Sequence, residues 1–428
     1  MKKQGWIVFV GTFVLGLFMF ATNAQALSAE TEVLLKLLEK KGVITKGEAA
    51  ALRQEVEAAA APAADKEALK AEIKEELREE LKAEGGPLAG IQDNITISGA
   101  VEADYQYKDH RDISDKNSDG ASDLFISTVE IGVEAAINDW TTASVVFIAE
   151  DIWKEGGNED ATALFDQAFV TFQNEEKLPF YAIIGKTDLP FGNFFTHTVS
   201  DTETYNAYLI NGPAATFGFA RPELFGLDVS FTIYEGEKLI KALHTAGIGW
   251  ARDHSEDHDG DDTINYTETD DVQSYVARLS VEPMEGLMLG VAFDSEPGDS
   301  NERNETFNAF GELSMAGFTL DAEYFDATKR EKHFTDNKAY EEKAFVVGLA
   351  YQVMDPFEVA ARYEDYDIGH DTDTDGDLDY VLALGANYEL LKDVTLMGEY
   401  RRLSYETEAS TTYEDTVNEF NLRVAVGF

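Results

Sequence analysis

From Asn94 to the end of the chain, apolar and polar residues alternate. Ile95, Ile97, Val101, Ala103, Tyr105 and Tyr107 are separated by Thr96, Ser98, Glu102, Asp104 and Gln106. Period two puts successive side chains on opposite faces of a strand. The pattern returns at 125–137, 143–149, 168–172, 227–233, 275–281, 287–293, 309–315, 318–324, 345–351, 357–363, 380–388, 394–400 and 420–428. The last run carries Phe420, Leu422, Val424, Val426 and Phe428 on one face. Such a chain must build a sheet with one apolar and one wet face.

The connections between runs also alternate. Tight links at 138–140, 315–317, 354–355 and 391–393 trade places with long polar ones at 108–122, 295–305, 326–342, 366–378 and 403–415. A soluble sandwich has no reason to sort loop length by parity. Short periplasmic turns at one end and long extracellular loops at the other are the pattern of bacterial outer-membrane barrels, as are Tyr and Phe near strand ends. A terminal aromatic such as Phe428 is typical of them too. The expectation is an all-β fold, a transmembrane antiparallel up-and-down barrel over 91–428. Fourteen runs are clear and the full count comes to 17; single-chain bacterial barrels have even counts, so 16 or 18 strands are expected. Parity fails between Asp188 and Asp271.

The N-terminus reads differently. Lys2 and Lys3, an apolar run from Trp6 to Phe20 and Ala24-Gln25-Ala26 have the form of an export signal over 1–26, cleaved after Ala26. Helical patterning occupies 27–90. Leu34, Leu35, Leu37 and Leu38 precede Gly42, and Thr45-Lys46-Gly47-Glu48 has capping-box form. Leu69, Ile73, Leu77 and Leu81 then stripe a charged helix from about Lys66 to Glu84. Such a stripe fits a short coiled coil between subunits, hence a homotrimer through these periplasmic helices, or a solvated helix on its own domain. Gly85-Gly86-Pro87 ends it.

There are no cysteines, so thiolate chemistry and disulfide stapling are excluded. Acidic residues number 82 against 34 basic; losing Lys2 and Lys3 takes the formal charge from −48 to −50. That charge repels nucleic acid. The seven histidines fall mostly in loops, and no Ser/His/acid set is brought together by strand registry, which argues against an enzyme.

If the apolar face meets lipid, the other face lines a pore. That places Arg278, Arg362, Arg401 and Arg423 inward with Glu282, Glu358, Glu364, Glu399 and Glu419. Opposed charges across a lumen would set up a transverse field and select by charge. The same residues could instead pair across neighbouring strands and hold the wall. A barrel this wide is not filled by side chains alone, so it conducts unless plugged. The best plug runs from Ile183 to Gly212, where alternation fails in an aromatic-rich segment too long for an ordinary turn. Its candidate constriction residues are Lys186, Pro190, Phe191, Asn193, Phe194 and His197.

Gly185-Lys186, then Leu189-Pro190-Phe191-Gly192-Asn193-Phe194, Thr196-His197 and Ser200-Asp201 resemble the LbtU family of siderophore porins. The likeness is strongest over this stretch. Lys41-Gly42-Val43-Ile44-Thr45 also looks like the leader helices of phosphate-selective porins. What the resemblance implies is passage of an iron-siderophore complex or a similar small solute through an outer membrane rich in lipopolysaccharide. A structural or adhesive barrel, tethering the envelope through its N-terminal helices, is the alternative reading.

Two loops have calcium-like spacing. Asp371, Asp373, Asp375 and Asp379 follow D-x-D-x-D-G-x-x-D, and Asp115, Asn117, Asp119 and Asp123 repeat it. Position twelve is Leu382 or Ile126, not the bidentate Glu, so an EF-hand proper is excluded. No cofactor is required by this reading; Ca²⁺ in these extracellular loops is the expectation, against the alternative that Asp, Asn and Gly cluster because turns favour them.

Overall fold

The chain divides into Met1–Gln92 and Asp93–Phe428. The computed structural model describes residues 94–109, 120–154, 164–246, 271–298, 302–332, 339–367, 378–406 and 416–428, all in the second unit. The expected signal, periplasmic helices and coiled coil lie outside the described residues.

Sixteen antiparallel strands close into a barrel in simple up-and-down order. The first eight are β1 (Ile95–Lys108), β2 (Ala121–Asn138), β3 (Thr141–Ile152), β4 (Leu164–Asn174), β5 (Leu178–Asp188), β6 (Asn211–Arg221), β7 (Leu227–Tyr234) and β8 (Ser274–Met284). The others are β9 (Leu287–Pro297), β10 (Arg303–Met315), β11 (Phe318–Lys329), β12 (Lys343–Met354), β13 (Phe357–Asp367), β14 (Leu378–Leu391), β15 (Val394–Tyr405) and β16 (Thr416–Gly427). Among the described residues two short helices interrupt the connections, α1 (Glu203–Tyr208) and α2 (Lys238–Ala246). No described helix is long and apolar enough to cross a membrane. The strands do so, because closure leaves no backbone group unpaired in lipid.

Connections from even to odd strands are tight. Ala316 and Gly317, both at positive φ, turn β10 into β11 in the mirror-image geometry that matches strand twist. Connections from odd to even strands run to ten residues or more, except the five residues 298–302 between β9 and β10, so loop length is sorted by end with that one exception.

The strand count is 16, and the two strands the alternation hides are β5 and β6. In β5, Pro179-Phe180-Tyr181-Ala182-Ile183-Ile184 is apolar on both faces. Its lumen-facing Tyr181 needs Gly218 opposite it on β6: a Cβ there would sit 1.9 Å from the ring. The Tyr181 hydroxyl donates to Asp228 Oδ1 at 3.0 Å. A glycine on the wet face and an apolar ring beside it leave no period to read.

The barrel closes where β16 meets β1. Gly99 and Phe428 exchange both backbone hydrogen bonds at 3.0 Å. The Phe428 ring lies over Gly99, 2.4 Å from where a Cβ would stand, and is 67% exposed on the lipid face.

Candidate functional site

The connection between β5 and β6, residues 189–210, is hydrogen-bonded to strands on the far side of the ring. A segment that reaches the inner faces of a closed sheet lies inside it. Asn193 N–H donates to Glu323 of β11 at 2.7 Å, and Arg278 of β8 donates to the Gly192 carbonyl at 3.4 Å. His197 Nδ1 is 3.0 Å from Glu358 of β13, and Asn387 of β14 donates to the His197 carbonyl at 3.0 Å. Ser200 N–H donates to Glu399 of β15 at 2.9 Å, and Asn421 of β16 donates to Ser200 Oγ at 3.0 Å. Thr202 caps α1 by accepting from Tyr205 N–H at 2.9 Å.

Register explains why these side chains meet. Cross-strand pairing lines up Arg362, Ala383, Arg401, Glu419 and Lys108 in one row from β13 to β1. The next row toward the turns is Ala360, Gly385, Glu399, Asn421 and Gln106. Small residues in both rows leave room for the loop. Phe195 lies on Gly348, where a Cβ would stand 2.4 Å from the ring, and the Thr198 methyl is 3.2 Å from the same point on Gly385.

Arg362 is the central clamp. It donates to Thr198 Oγ1, to the Ser200 carbonyl at 2.8 Å and to the Asp201 carbonyl at 3.1 Å, and its Nε is 2.9 Å from Glu364. Its side chain is fully buried. Glu364 in turn accepts from Glu203 N–H at 2.8 Å. Arg401 pairs with Glu203 and lies 3.6 Å from Glu419. Buried charges survive only when paired and hydrogen-bonded, and here the pairing fastens the loop to the wall.

An apolar core backs the clamps. Leu189, Phe191, Tyr208 and Ile210 from the loop and Leu239, Ile240 and Leu243 from α2 pack with Tyr234, Val276, Phe325, Val381 and Leu403 of the wall. Tyr208 stacks on Phe325 at 4.1 Å. This burial pushes the Tyr208 hydroxyl well above its usual ionisation range. The N–H groups of Leu239 and Ile240 donate to the buried Glu296 carboxylate at 2.7 and 3.1 Å, answering the free donors at the start of α2.

The opposite wall is different. Glu102, Thr128, Glu130, Glu134, Ser144 and Glu150, from the inner faces of β1–β3, are half-buried or exposed. From the loop, Asp201 and Asn206 are exposed and Tyr205 half-buried. Burial, followed by the charges of Asp201, Asp188, Glu150 and Asp166, raises the Tyr205 hydroxyl above its usual range. A wet strip therefore runs between α1 and the β1–β5 wall.

Most of the sequence-derived residues assemble on the covered wall. Arg278, Glu358, Arg362, Glu364, Glu399, Arg401 and Glu419 all touch or flank the loop. Arg423 pairs bidentately with Asp104 at 2.8 Å and with Glu102 at 2.8 Å. Glu282 departs: it is exposed beside the β6–β7 turn, where its N–H donates to the Phe225 carbonyl at 2.6 Å. The loop itself is shorter than Ile183 to Gly212, since β5 runs to Asp188 and β6 starts at Asn211. Lys186 is thus a strand residue, not a loop residue; it shares parity with the lipid-exposed Phe180 and Ile184, and donates to the Phe165 carbonyl at 2.7 Å. Phe191 is 1% exposed and Phe194 packs on the same core beside the half-buried Pro190, so the aromatic residues brace the loop. The glycines and alanines under the loop were the missed signal: small residues on a wet face mark where backbone is to lie.

Of the calcium-like positions, Asp115, Asn117, Asp119, Asp371, Asp373 and Asp375 lie outside the described residues. Asp123 sits in β2, its Oδ1 accepting from Leu124 N–H at 2.8 Å, and Asp379 sits in β14. Among the described residues no group of three or more acidic, His or Cys side chains is arranged for a metal.

A closed antiparallel barrel of 16 strands with a loop folded into its lumen defines an outer-membrane channel of the porin class. A family model described as Gram-negative porin matches residues 57–408, and the chain belongs to that family. Its place is the outer membrane, and the fold is that of non-enzymatic channels, which generally need no cofactor. No curated protein matches the sequence. Solved structures share the fold. The channel DcaP of Acinetobacter baumannii superposes with a TM-score of 0.55 at 13% identity, covering 78% of this chain and 97% of that one. The anion-selective porin from Comamonas acidovorans gives 0.54 at 12%, covering 78% and 99%. Salmonella typhi OmpF, in complex with daunomycin, gives 0.54 at 13%, covering 78% and 98%.

Proposed function

We propose that the chain is a channel for small hydrophilic solutes, which travel through a mixed-charge lumen between the inward loop and the β1–β5 wall. One observation carries this reading: among the described residues the loop is fastened to one wall, and the polar wall facing it stays wet. In this lumen the two signs of charge differ in role. The arginines and their glutamate partners hold the loop in place, while other carboxylates face the solute.

A narrower reading, passage of iron-siderophore complexes, has the resemblance of the 185–201 segment in its favour. The residues that carry that resemblance include Leu189, Phe191 and Phe194, which pack into or against the core and would brace the loop whatever the cargo. The fuller proposal takes 1–26 as a cleaved signal and 27–90 as periplasmic helices that join a homotrimer. The purified, folded protein in a planar bilayer is expected to give stepwise conductance. A folded barrel that passes no current would overturn the channel reading and favour a structural or adhesive barrel. Iron-siderophore uptake by a deletion strain, with and without the gene restored, tests the narrower reading.

A further inference from the structure

The covered wall keeps its positive charges to itself. Arg362 faces Glu364 at 2.9 Å and Glu399 at 4.0 Å; Arg401 faces Glu203 and Glu419; Arg423 faces Asp104 and Glu102, each at 2.8 Å. Lys108 pairs with Glu419 at 2.8 Å. Four cations thus meet six carboxylates, so this belt holds two negative charges in excess. Arg278 is spent on the Gly192 carbonyl and lies 4.5 Å over the Phe310 ring. A charge pair separated by about 3 Å acts at a distance as a dipole, whose potential falls off faster than that of a single charge.

The wet strip holds single charges. The carboxylates of Glu150 on β3, Asp166 on β4 and Asp201 on the loop make no hydrogen bond or ion pair among the described residues. Glu150 and Glu102 stand in one cross-strand row with Thr128 between them, about 10 Å apart at two strand spacings. Asp166 is the extra residue of a bulge opposite Val146 and Phe147, and it lies in the fields of Asp188 and, more weakly, Lys186. Asp201 is pinned by its backbone, Arg362 holding its carbonyl and that of Ser200; among the described residues its exposed carboxylate pairs with no cation directly, though it stands in the fields of Arg423 and Arg362. Lys154, a nearby cation, is paired with Asp151 at 3.1 Å, and Lys186 donates to a backbone carbonyl.

We propose that the passage prefers cations, and that Glu150, Asp166 and Asp201, facing one another across the strip between β3–β4 and the loop, set that preference. The proposal rests on the channel reading. A passage bounded by protein and lipid focuses the field of such charges, and screening over about 8 Å at physiological salt does not erase it across a narrow strip. The sign does not follow from the fold, which an anion-selective porin shares.

The test is the reversal potential of the full-length protein in a planar bilayer under a potassium chloride gradient. The wild type is expected to pass potassium over chloride by about threefold or more, as even a lumen potential of about one kT would give. Glu150→Gln, Asp166→Asn and Asp201→Asn combined should bring the ratio close to one, and Glu150→Lys should lower it further than Glu150→Gln. Glu223→Gln, on an exposed periplasmic turn, should leave it unchanged. Conductance with no cation preference, or a preference that survives the triple substitution in a barrel with wild-type circular dichroism, overturns the inference while the channel reading stands. Absence of conductance overturns both.

Discussion

The two halves of this barrel use the same strand chemistry for opposite ends. On β9–β16, inward residues such as Ala292, Phe325, Val346, Arg362, Val381 and Glu419 are buried, because the loop and α2 lie on them. On β1–β3, inward residues such as Thr128, Glu130, Ser144 and Glu150 remain open to water. Half the wall therefore behaves like the interior of a soluble protein, where volume and pairing are fixed. The other half behaves like a surface. Charge on the first half is architecture, and on the proposed channel reading charge on the second faces whatever passes.

That contrast can be broken by mutation, and the largest effect is expected at the clamp. Arg362→Ala leaves Glu364 and Glu399 buried without their cation and frees the carbonyls of Ser200 and Asp201, costing about 3–5 kcal/mol. A lowered unfolding midpoint in denaturant and a larger, noisier single-channel conductance are the expected readouts. Next comes a matched pair of insertions. Gly348→Val drives a side chain into Phe195 and costs about 1–3 kcal/mol; Ser144→Val on the wet wall costs within about 0.5 kcal/mol. Equal costs in thermal melts would show that the two walls do not differ.

Acid should sharpen the contrast by a smaller amount. Asp201 is enclosed by the barrel, which raises its carboxyl above the ordinary aspartate range, although Arg423 and Arg362 pull it down. A raised acid takes up its proton at a higher pH than usual. Cation preference should begin to weaken as pH falls, before a free aspartate would protonate, and Asp201→Asn should remove that early phase from reversal potentials measured against pH. The smallest change is expected from Phe428→Ala, which removes a ring from the lipid face yet touches neither wall of the passage. Conductance of assembled barrels should be unaltered, with the loss confined to the yield of folded protein in outer-membrane fractions.

The fold was largely legible because lipid on one side and water on the other impose period two. It was illegible where the lumen is not water. On β5 and β6 the lumen side carries Tyr181, Ile183 and Gly218, an aromatic, an aliphatic and a glycine, which break the pattern. The same cause governs the site. Arg362, Arg401, Glu399 and Glu419 could be placed inward from parity, but not paired, because their partners sit on a loop with no period at all. Glu150 and Asp201 left no signal distinguishing them from the many acidic residues elsewhere in a chain this acidic. Only the clothing of the other wall singles them out.

The clamps also set an order of events in folding. The loop precedes nearly everything it binds: its hydrogen bonds reach forward by 86 residues to Arg278 and by 221 to Asn421. Contacts of such sequence separation close late, since chain entropy must be lost before they return any energy. The loop therefore waits, unsatisfied, until the second half of the sheet has formed. Seating the loop and closing the ring become one cooperative step, and variants that loosen the clamps should accumulate as unclosed barrels before they show any defect in a finished one.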